Sequence, residues 1–225
     1  MPIQARIFVG SVITAGIVAG ALSAAYWQSA NPAQLGLFLL LAAVASAFKV
    51  RIPGMHGTIT PGFVFVLLGA TELSRPETVL LCMLAGLVQS TINTKTRPVP
   101  VQAAFNTANL ALCGALAHLI SHSVAGGEGT VTGLARLVIA LVVLFFANVT
   151  AVSTVLCLVQ SKPLSSIWQL ANYWALPYYA AGTLVAVTLT QTILMGWTAT
   201  LLVVPVLYLI HAYYSEMARR TVIAK

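Results

Sequence analysis

The sequence predicts an all-α protein: a polytopic membrane bundle of about eight transmembrane helices, forming a single domain over residues 1–225 with no soluble domain. Three observations predict it. Hydrophobic residues make up 59% of the chain and charged residues only 7%, with a mean hydropathy of +0.94. A soluble domain carries about a quarter of its residues charged, and a disordered chain cannot leave this much apolar surface in water. Apolar stretches of roughly 20 residues, the length that crosses a bilayer, recur from end to end. The basic residues, finally, crowd into alternate connections, the pattern that records orientation.

Taken in order, the apolar segments run over about 6–27, 34–50, 58–74, 77–94, 101–121, 134–160, 172–194 and 197–216. The first has the look of a signal peptide, with Arg6 ahead of an apolar run and small residues around Ala21 to Ala25, but it reads as a membrane helix. Gly16 and Gly20, beside Ala15 and Ala19, suit close helix approach, with packing inside the chain favoured over dimerisation. With the N-terminus in the cytoplasm, Arg6, Lys49, Arg51, Lys95, Arg97, Lys162, Arg219, Arg220 and Lys225 fall inside, and only Arg75 and Arg136 fall outside. Both termini are therefore expected in the cytoplasm. Parity is firmer than number, because a re-entrant pair over 58–94 leaves six spans and the same termini. Trp27 and Trp197 at one interface, and Trp168, Trp174, Tyr213 and Tyr214 near the other, agree with that placement.

Two places break the apolar monotony. The stretch from Arg51 to Gly62 holds Pro53, Gly54, Gly57, Pro61 and Gly62, and cannot be one uninterrupted helix. It reads either as a tight cytoplasmic loop with Pro61 in the first turn of the next helix, or as a half-helix or hairpin presenting backbone donors and His56 to a ligand, with Thr58 and Thr60 as further candidates. In the fifth segment Gln102, Asn106, Asn109 and Cys113 fall within an arc of about 60° at 100° per residue, so they share one helix face. Amides are costly in hydrocarbon, so that face is expected to look at protein, water or ligand. Gln89 and Asn93 form a second amide pair, and Asn148, Thr150, Ser153 and Thr154 add polar atoms to the sixth segment. The candidate ligand-binding set is thus His56, Thr58, Thr60, Gln89, Asn93, Gln102, Asn106 and Asn109, with interhelical hydrogen bonding as the bland alternative for each.

Other features have ordinary explanations. Glu72 with Arg75 reads as a solvated turn, and Glu77 after Pro76 suits a first helical turn. His118 and His122 stand at i and i+4 without the further ligands a metal needs, so no metal site is expected. Cys82, Cys113 and Cys157 are widely spaced inside apolar segments and read as buried small hydrophobes. The net charge of +7 is scattered rather than clustered, so no nucleic-acid partner is expected. No zinc-protease helix, nucleophile elbow, phosphate-binding loop or intramembrane carboxylate pair is present, and neither enzymatic activity nor a cofactor is expected.

Three blocks carry a family resemblance: Lys49-Val-Arg-Ile-Pro-Gly54 leading to Gly57-Thr-Ile-Thr60; Phe65-Val-Phe to Gly69, then Glu72-Leu-Ser and Pro76-Glu77; and Arg97-Pro-Val, Val101-Gln102 and Phe105-Asn106 with Asn109. They resemble the N-terminal multi-helix membrane regions of bacterial signalling proteins in which such a region precedes a diguanylate cyclase or HD-GYP-type phosphodiesterase domain. The resemblance covers most of the chain and implies a sensory input. The chain stops about where the output domain would begin, so cyclic-dinucleotide chemistry does not carry over. The leading expectation is a membrane sensory or small-ligand-binding module without catalysis, surrounded by membrane lipids and working with a membrane or cytoplasmic signalling partner. A small-solute transporter or substrate-binding component, and a non-catalytic subunit of a membrane complex, are the alternatives.

Overall fold

Each apolar segment becomes a helix, and most helix starts have a local cause in the sequence. The computed structural model describes residues 1–51, 58–94, 99–125, 127, 129–160, 163–193 and 204–223. In chain order these form α1 (Ile3–Ala25), α2 (Pro32–Ala47), β1 (Val50–Arg51), β2 (Thr58–Ile59), α3 (Gly62–Glu72), α4 (Arg75–Thr91), α5 (Pro100–Val124), α6 (Thr130–Gln160), α7 (Leu164–Ile193) and α8 (Val204–Ile223). The Asn31 side chain accepts from the Gln34 amide at 3.1 Å, with Pro32 opening α2. Ser74 and Glu77 form a reciprocal capping box at the start of α4, the Ser74 amide donating to Glu77 Oε2 at 3.0 Å. Pro100 opens α5, where a missing N–H costs nothing.

The third segment departs from expectation. A helix over 58–74 is replaced by a strand at Thr58–Ile59 and a helix that begins only at Gly62 and ends at Glu72. Pro61 sets this boundary, since it supplies no N–H to continue a helix backward. The preceding backbone finds its partners in a two-stranded antiparallel ladder, Val50 opposite Ile59 and Arg51 opposite Thr58. The last segment also shifts, with α8 running to Ile223 rather than ending near 216. Among the described residues, three helices are long and apolar enough to cross a membrane: Ile3–Ala25, Pro100–Val124 and the Val131–Gln160 part of α6. Pro32–Ala47, Gly62–Glu72 and Ala175–Thr190 are apolar but shorter.

Helix α3 is the axle of the bundle. Its residues from Val64 to Thr71 are all buried, and it touches α2, α4, α5, α6 and α7. Eleven residues rise about 16 Å, roughly half a bilayer core. Around it α4 and α5 pair most closely, because Gly86 lets the backbones meet. A Cβ there would lie 2.9 Å from the Thr107 Cα and 3.1 Å from the Asn106 carbonyl oxygen. Gly16 similarly seats α1 against Ala108 of α5, and Gly20 lies against Met83 of α4, so this glycine pair packs inside the chain. The opposite face of α1 exposes Ile3, Ile7, Ile17 and Leu22. Helices in lipid gain little from hydrophobic transfer when they associate, so this close packing and the buried hydrogen bonds must hold the bundle together.

Candidate functional site

The polar side chains concentrate around the N-terminal end of α3, where the β1–β2 hairpin reaches the bundle. Gln89, near the end of α4, donates through Nε2 to the Thr58 carbonyl at 3.2 Å and lies 3.5 Å from its hydroxyl oxygen. Asn93 donates to the Ala47 carbonyl at 3.0 Å, closing the end of α2. Its φ of 53° is left-handed, a conformation asparagine tolerates better than most residues. Asn106 donates to the Ser90 hydroxyl at 3.2 Å across the α4–α5 contact.

A second set lies deeper. Asn109 is 4% exposed and donates to Asn148 Oδ1 of α6 at 2.7 Å, while the Cys113 thiol approaches Asn109 Oδ1 at 3.7 Å. Asn148 in turn donates to the Tyr179 hydroxyl of α7 at 3.5 Å. The Tyr179 ring stacks on Phe63, the second residue of α3, with centroids 4.3 Å apart. Gly182, one turn along α7, leaves the space that the Phe63 ring occupies. One continuous line of contacts therefore joins α5, α6, α7 and the start of α3. Asn148 and Tyr179 also border a cavity of ≈ 10 Å³, room for about one water.

Two buried hydroxyls flank the same end of α3. Ser46 is 1% exposed and packs against Gly62; Tyr178 is 1% exposed, with its ring 5.7 Å from that of Phe63. Neither oxygen has a hydrogen-bond partner among the described residues. Nearly all buried polar groups in folded proteins are partnered, so two orphans in one neighbourhood need a reason.

The candidate set from the sequence divides as follows. Gln89 and Thr58 bond each other, whereas Asn93, Asn106 and Asn109 bond instead to Ala47, Ser90 and Asn148, and Thr60 is buried at the turn into α3. Gln102 does not join them. It is exposed in the first turn of α5, although it shares a helix face with Asn106. The register explains this departure: Asn106 pairs with Ser90, so a partner for Gln102 would stand about four residues further on, past the end of α4 at Thr91. His56 lies outside the described residues. Ser46, Tyr178, Tyr179 and Phe63 were not marked by the sequence, since a serine or aromatic in an apolar run carries no signal of its own. Among the described residues, no three His, Cys, Asp or Glu side chains are grouped to hold a metal.

A helical, membrane-associated module whose polar groups gather between helices is the class of protein defined by this arrangement. The chain belongs to the MASE9 family, a family of membrane-associated sensory domains, whose model matches residues 32–218, from the start of α2 into α8. Neither a curated protein nor a solved structure matches the chain.

Proposed function

We propose that the chain is the sensory input of a bacterial signalling system, without catalytic chemistry of its own, and that it responds to a small polar ligand at the N-terminal end of α3. Ser46 and Tyr178, two of the unpartnered buried hydroxyls and both against the start of α3, carry this reading. A neutral ligand bearing a donor and an acceptor would satisfy both, with Thr58, Thr60, Gln89, Asn93, Asn106 and Asn109 as its surroundings and His56 and Gln102 as further candidates from the sequence. A bare divalent cation suits these groups poorly, because the set contains no carboxylate. Such a ligand would bias the bonds that tie the hairpin and α5, α6 and α7 to α3. That gives binding a mechanical consequence.

The topology completing this reading has both termini in the cytoplasm of the inner membrane and the α3–α4 pair inside a multi-pass bundle. The nine-to-two distribution of basic residues supports it. The partner is proposed to be a cyclic-dinucleotide cyclase or phosphodiesterase output, following the resemblance of the 49–60, 65–77 and 97–109 blocks.

The test fuses the full chain to a diguanylate cyclase reporter domain and screens neutral polar small molecules for a change in product formation. Ser46→Ala and Tyr178→Phe each remove one unpartnered hydroxyl and leave packing intact, so both variants should fold as the parent does. The expected result is a ligand response in the parent that is lost in both variants. A reporter that responds equally in all three would reject the site, and solute uptake by reconstituted vesicles with no reporter response would reject the sensory reading.

A further inference from the structure

At the end of the bundle away from the hairpin, the start of α4 and the last turns of α5 enclose an open groove of ≈ 410 Å³. Arg75, Pro76, His118, Leu119, His122 and Ser123 line it. The volume falls within the range of small-molecule sites. Its chemistry is uneven in a useful way.

Arg75 is exposed, and among the described residues its guanidinium has no hydrogen-bond or ion-pair partner. Among the described residues, the other charged groups near this end are engaged or lie outside the lining. Arg136 donates to the carbonyls of Ala125 and Gly127 at 2.9 and 2.7 Å. Glu77 accepts from Ser74, and Glu72 accepts from Thr71. Arg75 is thus left to offer its planar fork to an oxyanion.

The two imidazoles stack, with centroids 4.1 Å apart and planes 16° from parallel. Nδ1 of His122 sits 2.9 Å from the His118 carbonyl oxygen. A carbonyl can only accept, so this contact holds a proton on Nδ1, and in the tautomer of a neutral imidazole that it selects, Nε2 is an acceptor. The groove therefore pairs a cationic donor with an imidazole that, in its neutral form, accepts through Nε2. Beyond them Leu116 and Leu119 are 43% and 49% exposed and share the α5 face on which Ser123 lies, which extends the groove as an apolar track along the helix.

We propose that this groove is a phospholipid site: the phosphodiester on Arg75, a headgroup hydroxyl or ammonium donating to His122 Nε2, and an acyl chain along Leu119 and Leu116. This site stands independently of the ligand proposed at α3. The acceptor on His122 sets its selectivity. Phosphatidylglycerol and phosphatidylethanolamine carry a headgroup donor, and phosphatidylcholine does not.

Native mass spectrometry of the purified full chain, titrated with the three lipids at matched acyl chains, reads this directly. Phosphatidylglycerol and phosphatidylethanolamine should each bind about tenfold more tightly than phosphatidylcholine, one charge-assisted or neutral hydrogen bond's worth. Arg75→Ala should weaken all three. His122→Phe keeps the ring stack and should abolish the preference while leaving phosphatidylcholine unchanged. Both side chains are at the groove surface, and a circular-dichroism melt matching the parent confirms that each variant is folded. Equal binding of the three lipids by the parent, or no loss in Arg75→Ala, overturns the proposal. Binding of soluble glycerophosphoglycerol in phosphatidylcholine nanodiscs, with no preference among lipids, would assign the groove to a soluble phosphodiester and likewise overturn it.

Discussion

Asn109 illustrates how one amide can be committed twice inside an apolar bundle. Its Nδ2 donates to Asn148 and its Oδ1 receives the Cys113 thiol, so both ends of the side chain are engaged within the bundle. Asn109→Leu keeps the size but strands Asn148 Oδ1 in the interior, and should lower stability by about 1–3 kcal/mol. Thermal unfolding in nanodiscs reads that loss. Pairing it with Asn148→Leu should return part of it, because the stranded Asn148 amide is gone, and only part, because the Tyr179 hydroxyl and the Cys113 thiol lose their partners; a double variant as unstable as the sum of the singles would contradict the coupling. Ser46 and Tyr178 are the opposite case. Their hydroxyls have no partner to lose among the described residues, so Ser46→Ala and Tyr178→Phe should leave the melting temperature within error of the parent. Asn106 lies between these extremes, with one bond to Ser90 and partial exposure, and Asn106→Leu should cost less than Asn109→Leu in the same assay.

Between helices, spacing is set by glycines whose neighbours differ in how far they can yield. A side chain at Gly86 meets the backbone of Thr107 and Asn106, whereas one at Gly20 meets the flexible end of Met83. Gly86→Leu should therefore destabilise by at least about 1–3 kcal/mol and Gly20→Leu by clearly less, measured by the same unfolding assay. Equal losses would show that α4 and α5 are not held at backbone distance. Much at this scale was legible in advance. Glu77 after Pro76 marked the start of α4, and Asn31 with Pro32, Ser74 and Pro100 carry the same kind of local capping chemistry, which needs no tertiary information. The start of α3 was legible in one of the two readings of that stretch, the loop with Pro61 opening the next helix, although the apolar run itself had been drawn from residue 58. The candidate site was legible in half. Helical geometry put Asn106 and Asn109 on one face, but their partners are far along the chain: Asn148 is 39 residues from Asn109, and Ala47 is 46 from Asn93. Gln102 was misplaced because face geometry says nothing of where the neighbouring helix stops.

Across the whole molecule, orientation is the property with the simplest test. Single cysteines at positions 4 and 225, introduced after removal of Cys82, Cys113 and Cys157, should resist a membrane-impermeant maleimide in intact cells, and labelling of either from outside would reverse the proposed topology. The molecule is also uneven in how its helices are held. Helix α8 rests chiefly on β1 and α7, through Tyr214 against Tyr178 and His211 against Phe48, while α3 is enclosed by five other helices. That enclosure has a consequence for time rather than structure. An amide in α3 can meet deuterated solvent only when the helices around it separate, so its exchange clocks the opening of the entire bundle. Helix α8 can detach while the rest stays closed, and its amides should exchange first. The interval between the two would measure how far the C-terminal helix moves independently of the core to which it is attached.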